Sequence, residues 1–401
     1  MRSPQVTYVS VAYTHAVADS RVRRHCETIA RRGWRVFQLG LARAHEASVA
    51  RVNGVVYVRY QRPRYRGNNL LQYAWAYARF FLWARRLLTR LNRRHAVAVV
   101  HANNIPNLIV WVASAARRAG TGVILDIHDP VPELFLCKFS RQPGARLTAS
   151  GLRLEERLSA RNADVVLCVH DAHRELTEQH GVDKRKLRVV LNAADGSLFP
   201  MVPPRCAEPF IVYHGTLTDR MGLDAVLRAF RLMHDRGTCV RAAFWGDGDV
   251  VDDLRRLRDQ LGLADTVDIP GTRVVLEKLV PRLRTVGIAI APMRRDAFTD
   301  CLLPTKLLEV VRLGIPSVVT WTPTVSRHFP EDTVHYVRDF TPEGIARVLQ
   351  RVLADPEDAR RRAVRAQALS IAMSWQDLED EFVRIVEDLA LTRRPRGWQD
   401  D

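Results

Sequence analysis

Short runs rich in β-branched residues alternate with stretches whose apolar positions recur every three to four residues, and the alternation persists along nearly the whole chain. That rhythm predicts parallel sheets wound on both faces by helices. In the first half it predicts strands over 6–11, 36–39, 97–100, 123–127 and 165–169, and a helix over 20–32. The helix takes Asp19 or Ser20 as its N-cap, sets Val22, Cys26 and Ile29 on one stripe, and stops at Gly33.

The stretch 192–209 breaks the rhythm with Pro200, Pro203, Pro204 and Pro209, and reads as a linker. A second series follows it, with strands predicted over 210–213, 240–245, 267–269, 288–291 and 317–320. Its helices are predicted over 223–235, 250–261, 305–313 and 342–353. A chain of 401 residues suits two such α/β domains, since domains run to roughly 100–200 residues each. The expected division is 1–200 and 201–370, followed by a closing segment 371–401 with Leu378, Phe382, Ile385, Val386 and Leu389 on an apolar series. Ligands of open α/β sheets bind beyond the carboxyl ends of the strands, so the facing strand ends of two such domains are expected to form a working cleft.

Composition narrows the picture a little. The start lacks the apolar stretch and cleavage site of a signal peptide, and no stretch of about 18 uncharged apolar residues occurs, so a cytoplasmic protein is expected. The six cysteines show no metal-site spacing and read as reduced thiols. A net charge of +17 would suit nucleic acid or an anionic membrane, but the basic residues are overwhelmingly arginine, as compositional bias on a solvated surface would give.

Four segments carry candidate chemistry. Pro304-Thr305-Lys306-Leu307-Leu308-Glu309 opens a helix that Gly314 closes: a helix start offers free amides and positive dipole to a phosphate, and Lys306 adds a full charge. Glu309, on the same face as Lys306, can accept two ribose hydroxyls. The turn Tyr213-His214-Gly215-Thr216-Leu217-Thr218-Asp219-Arg220-Met221-Gly222 joins a strand to a helix, where backbone amides and an arginine can hold a diphosphate. Asp126-Ile127-His128-Asp129 closes a first-half strand with an imidazole between carboxylates, and Gly246-Asp247-Gly248 closes a second-half strand. Among the other histidines, His101 reads as structural, and His170 and His173 as surface residues.

In their order and spacing these segments resemble glycosyltransferase family 4. The resemblance takes in Asp19-x-Arg21, Asp126-x-His128-Asp129, Asn192 with Asp195 and Phe199, His214-Gly215-Thr216-Leu217, Gly246-Asp247-Gly248, Pro304-Thr305-Lys306-x-x-Glu309 and Gly314-x-Pro316. It implies the GT-B fold, two Rossmann-like doubly wound domains with a C-terminal helix crossing back to the first. It also implies a retaining, metal-independent transfer of a hexosyl group from a nucleoside diphosphate sugar, with no cofactor. Carried over by position, Glu309 binds the donor ribose, Lys306 and Arg220 the diphosphate, and Gly215, Thr216 and Leu307 line the donor. His128 serves the transferring sugar, so that His128, Arg220 and Lys306 are the candidate catalytic residues. Asp129, Asp300 and Cys301 are candidate sugar or acceptor contacts. Two departures stand out: the family's first glutamate falls on Cys301, with Asp300 beside it, and the phosphate-loop arginine and lysine fall on Thr216 and Met221, which leaves Arg220 as the replacement.

Between Leu70 and Arg94 the positions Leu70, Ala74, Tyr77, Phe81, Leu88 and Leu91 predict one docked helical stripe. Arg79, Arg86, Arg90 and Arg93 gather opposite it with Trp75 and Trp83 at their flanks, a pattern suited to an anionic membrane surface on the inner face. The acceptor is not legible. A dehydrogenase is excluded by the absence of glycine from the first strand-to-helix turn, 12–20. A sugar-nucleotide epimerase of the same fold remains the nearer rival; a nucleic-acid-binding protein rests on charge alone, and no nucleic-acid partner is expected.

Overall fold

Strand β1 (Thr7–Ala12) is buried at all six positions. Such a strand lies inside a sheet covered on both faces, and its sequence is accordingly a nearly continuous apolar run. The computed structural model describes residues 6–15, 17, 19–62, 65, 70–140, 142–204 and 209–393. The expectations for the start of the chain, for part of the linker (205–208) and for the tail beyond 393 lie outside the described residues.

After β1 come α1 (Ser20–Arg31), β2 (Arg35–Leu41), β3 (Val49–Val52), β4 (Val55–Tyr60), α2 (Leu70–His95) and β5 (Val97–Asn103). The first series continues with α3 (Ser114–Arg118), β6 (Gly122–Ile127), α4 (Val131–Phe139), α5 (Ala145–Arg161), β7 (Val165–Cys168), α6 (Asp171–Gln179) and β8 (Leu187–Val189). The strands form one sheet in the order β3-β4-β2-β1-β5-β6-β7-β8, and all pairings are parallel except β3 with β4. Asp19 caps α1 by accepting the Val22 amide, as the sequence predicts. The β3–β4 hairpin turns on Asn53 and Gly54, both at positive φ (48° and 81°), which Asn and Gly reach most cheaply.

The second series runs β9 (Phe210–His214), α7 (Leu223–Asp235), β10 (Arg241–Trp245), α8 (Val251–Gln260), β11 (Val267–Asp268), α9 (Leu276–Leu283) and β12 (Ile288–Ala291). It continues with α10 (Thr305–Arg312), β13 (Ser317–Thr320), α11 (Pro323–His328), β14 (His335–Val337), α12 (Pro342–Ala354), α13 (Pro356–Leu369) and α14 (Trp375–Thr392). Its sheet, ordered β11-β10-β9-β12-β13-β14, is parallel throughout.

The chain divides into two units. One runs to Asn192 and resumes at Glu379; the other spans Ala193–Leu378. Helix α14 therefore begins in the second unit and ends in the first. There Phe382 stacks on His25 (centroids 4.1 Å apart), Glu379 pairs with Arg31, and Leu389 fills the space over Gly122, where a Cβ would meet its Cγ at 2.6 Å.

Three expectations are corrected. Tyr77, Leu88 and Leu91 of α2 are buried as predicted, but Phe80 and Ala84 complete the stripe; Phe81 is only partly buried and Ala74 is exposed. The Leu70 side chain lies outside the described residues. Trp83 turns inward onto Tyr60 and Phe80 (5.3 and 5.4 Å between centroids), whereas Trp75 is 65% exposed. His170 and His173 are buried: the His170 ring caps α6 by accepting the His173 amide. No helix among the described residues is long and apolar enough to cross a membrane.

Candidate active site

In the first unit the predicted imidazole stands at the end of β6. Its Nε2 lies 3.2 Å from Oδ2 of Asp126, two residues earlier on the same strand, and its backbone amide donates to Oδ1 of Asn104. Asp126 is the hub of this cluster. The buried Arg21 guanidinium donates to both of its oxygens at 2.9 Å, and His101 Nε2 lies 3.2 Å from Oδ2. The Tyr8 hydroxyl, 2.5 Å from His101 Nδ1, closes the chain of contacts.

Burial by itself would raise the Asp126 carboxyl, but Arg21, His128 and the hydrogen bonds from both histidines outweigh it and hold the group well below the usual carboxylate range. Burial by itself would discharge His128; the Asp126 charge and hydrogen bond prevail, and its pKa is raised. His101, more deeply enclosed, is shifted the other way by burial. His25, His101 and Asp126 bring ligand atoms within 4.8 Å of one another, a spacing a metal could use. With Arg21 on both carboxylate oxygens, however, the group is an ion-pair network whose acceptor sites are taken.

Sequence reading missed Arg21 as the counterion, although it flagged the Asp19-x-Arg21 motif; no spacing rule links positions 105 residues apart. Asp129 is partly buried, and the N-cap position of α4 falls on Pro130 instead, so helix capping does not account for Asp129.

In the second unit Gly215, Thr216, Arg220, Lys306 and Glu309 converge where β9 and the start of α10 meet. Gly246 and Gly248 explain themselves first. A Cβ on Gly246 would lie 1.8 Å from the Gly215 carbonyl oxygen, and one on Gly248 1.9 Å from that of Leu217. These glycines let the two strand-end turns touch, and the contact is sealed by the Gly215 amide on Trp245 O and the Leu217 amide on Asp247 O, both 2.9 Å. The expectation that the Gly215 amide holds a phosphate is thereby corrected, since it is spent on Trp245. The exposed Thr216 amide has no described acceptor.

Pro304 takes the N-cap position of α10 without a side-chain capping bond. The amides of Thr305 and Lys306 precede the first helical hydrogen bond and are open to a ligand. Leu307 corrects another expectation: its amide donates to Pro304 O and its side chain is fully buried, so it supports the helix from the core.

Lys306 is partly exposed along its length, but its ammonium is enclosed. Nζ donates to the Tyr213 hydroxyl at 2.5 Å, approaches Met221 Sδ at 3.4 Å, and sits 4.2 Å from the Tyr213 ring centroid. Burial, and then the nearby Arg220 charge, depress its pKa to about 7 against a partial offset from Glu309. The Arg220 guanidinium lies 5.4 Å over the Phe298 ring, with its Nε buried and unpartnered. Glu309 accepts from His214 Nε2 at 2.8 Å. Two cations and three open amides therefore lie close together, with no carboxylate bonded to the lysine among the described residues, an arrangement that suits an anion.

Asp300 is committed elsewhere: Arg295 donates to both its oxygens at 2.9 and 2.8 Å. Cys301 follows it, partly buried, at the end of the turn that leads to α10. Tyr213 and His214 fall within the turn that the sequence singles out but were given no role of their own there, and Phe298, in the loop before α10, was not named.

Two α/β units, each built on a largely parallel sheet, are the architecture of the GT-B class of glycosyltransferase. Two family models match, the glycosyl transferase 4-like domain over residues 18–193 and the glycosyl transferases group 1 domain over residues 208–355, together well over half the chain. The chain belongs to the glycosyltransferases of this family-4-like GT-B group, and is an enzyme of that kind. It is 24% identical over 334 residues to the alpha-D-kanosaminyltransferase of Streptomyces kanamyceticus, covering 79% of this chain and 84% of that one. Matches to curated relatives span from 48% to 84% of their length.

Sucrose-phosphate synthase from Thermosynechococcus elongatus superposes with TM-score 0.78 at 17% identity, over 97% of this chain and 100% of that one. Anabaena Alr3699/HepE, solved with UDP and glucose, superposes with TM-score 0.70 at 14% identity, over 96% and 100%. At such identities these two likenesses speak for the fold.

Proposed function

We propose that the protein is a retaining, metal-independent hexosyltransferase that takes its sugar from a nucleoside diphosphate donor held by the second unit. The observation that carries this reading is the unbalanced charge around Lys306. Its enclosed ammonium, the unpartnered Arg220 Nε and the open amides of Thr216, Thr305 and Lys306 lack an anion of more than one negative charge. Charge on the leaving diphosphate grows as the glycosidic bond breaks, so cations fixed here stabilise the transition state more than the ground state. Glu309, oriented by His214, is assigned the ribose, and His128, oriented by Asp126, whose charge raises the imidazole's pKa, the sugar. Asp129 and Cys301 are assigned to sugar or acceptor contacts. Asp300 is left out, because Arg295 holds both its oxygens. The UDP and glucose in the Anabaena structure support a nucleotide donor.

The acceptor side is assigned to the surface of an anionic membrane on the cytoplasmic face. Helix α2 carries no acidic residue along its 26 positions and presents Leu71 (81% exposed), Trp75 and Leu82 beside Arg86, Arg90 and Arg93. Apolar anchors with a cationic face suit anionic headgroups.

A thermal-shift screen against nucleoside diphosphates and their sugars tests the donor. A ligand at about 100 times its dissociation constant adds about 2.7 kcal/mol, which moves a melting transition visibly. We expect a shift with at least one of them and its near loss in Lys306→Ala and Glu309→Ala; unchanged affinity in both variants would place the donor elsewhere. Product nucleotide released only with an added acceptor separates transfer from epimerisation. Co-sedimentation with vesicles containing anionic lipid, and not with neutral ones, tests the membrane assignment.

A further inference from the structure

The donor reading needs Lys306 and Glu309 held in fixed geometry, and neither is held by its own helix. Lys306 is on the first turn of α10 and Glu309 one turn later, so they share a face. Both are met by consecutive residues of one strand end. The Tyr213 hydroxyl accepts from the lysine at 2.5 Å and donates a hydrogen bond to the Thr216 carbonyl at 2.6 Å; His214 meets the glutamate at 2.8 Å.

We propose that Tyr213 and His214, which close β9, are the positioning residues of the donor site: Tyr213 fixes Lys306 and the Thr216 turn against the diphosphate, and His214 fixes Glu309 against the ribose. The inference rests on the proposed donor reading and adds what sets its geometry. Three observations support it.

Packing alone does not call for a hydroxyl at position 213. The ring is fully buried against Leu217 and Phe244, where phenylalanine would serve, and a buried hydroxyl costs stability unless it is bonded. Here it is bonded on both sides, once to the lysine and once to the turn whose amide faces the ligand. Burial raises the phenol's pKa, so it keeps its proton and donates to Thr216 O while accepting from Nζ.

Position 214 has a parallel logic. An ionised Glu309 can only accept, so His214 carries hydrogen on Nε2, and one glutamate oxygen is occupied while the other stays available. The imidazole is buried and the carboxylate partly exposed (7% and 23%), so the fixed end faces the protein. The third observation is the surroundings. Lys306 is faced by Tyr213 from β9, by Arg220 and Met221 from the turn, and by Glu309 from its own helix. Arg294 and Arg295, from the segment after β12, are committed to Asp224 and Asp300. With its depressed pKa, Lys306 must gain a proton as an anion arrives near neutral pH, and the Tyr213 oxygen is the acceptor that favours the charged form.

The test measures dissociation constants of a nucleoside, its monophosphate and its diphosphate, chosen as the base the wild type binds best, from pH 6 to 9 by calorimetry. Tyr213→Phe should weaken the diphosphate about tenfold at neutral pH, leave the nucleoside within about twofold, and move the pH midpoint of diphosphate binding downward. His214→Phe should weaken all three ligands about equally, while His214→Asn, which can still donate, should recover most of the loss. Ligand-free melting temperatures near that of the wild type keep these losses separate from unfolding. Unchanged diphosphate affinity and pH midpoint in Tyr213→Phe, or equal losses in His214→Asn and His214→Phe, would overturn the inference while leaving the donor site standing. Failure of the wild type to bind any nucleoside diphosphate would overturn the donor reading and this inference with it.

Discussion

The polar cluster of the first unit and that of the second are built on opposite principles. Around Asp126 opposite charges meet directly: one carboxylate accepts two bonds from Arg21 and faces His101 and His128 within 3.2 Å. Around Lys306 the enclosed ammonium is met by a phenol and a thioether, with a second cation nearby. A balanced network spends its charge on holding one imidazole in place. An unbalanced one is relieved by loss of a proton or by arrival of an anion, which is why the donor is proposed for the second cluster.

If that contrast is sound, removing charge must act in opposite directions. The largest effect should come from Asp126→Ala, which strands a buried guanidinium; a loss of about 3–5 kcal/mol in denaturant unfolding is expected. Gly248→Ala should follow, because its Cβ would lie 1.9 Å from Leu217 O and must push the two turns apart. We expect about 2 kcal/mol of destabilisation together with weakened nucleotide binding, measured by urea melts and calorimetry. Lys306→Met should do the reverse to the empty protein, stabilising it by about 1 kcal/mol while nucleotide affinity falls, since an unpaired cation is replaced by an apolar chain of similar length.

The pH dependence sharpens the same contrast. Lys306 binds its proton less tightly in the folded chain (pKa about 7) than in the unfolded one (about 10.4), so its contribution to ligand-free stability rises with pH between those values and is least favourable below 7. Asp126 works from the other end: with its folded pKa below the ordinary range, its contribution is full above that range and lost as pH falls through the folded value. Stability profiles of wild type and Lys306→Met should therefore converge at alkaline pH and part near pH 7. The smallest effect is expected at the surface: Trp75→Ser should change stability by no more than about 0.5 kcal/mol while reducing binding to anionic vesicles.

Much of this was legible in the residues. The strands over 288–291 and 317–320 and the helix over 223–235 fall where periodicity sets them, because buried parallel strands and amphipathic helices write their burial into local composition. The convergence of the 213–222 turn with the start of α10 was legible too, since a proline-started helix and a strand-to-helix turn are local signals. What escaped was non-local or short. The β3–β4 hairpin carries Asn53-Gly54, a plain turn signal, but β3 is short and mostly exposed, and β4, VVYVRY, is apolar at most positions, so neither writes a clear alternation into its sequence. On α2 the sequence reading sets Phe81 in the buried position that Phe80 occupies, because the two are adjacent and equally apolar and only packing tells them apart. His170 and His173 looked like surface histidines; they are buried because one caps a helix. The partners that set the chemistry, Arg21 for Asp126 and Tyr213 for Lys306, lie 105 and 93 residues from the groups they serve, beyond the reach of any spacing pattern.

The thread of the polypeptide has a bearing on how the molecule is made. Because the segment from Glu379 belongs to the unit that began with β1, the half synthesised first is completed last. Until the ribosome delivers Phe382 and Leu389, the His25 ring is without its Phe382 cover and the surface over Gly122 is uncovered, so the early half must wait, unfinished, while an entire second unit is translated.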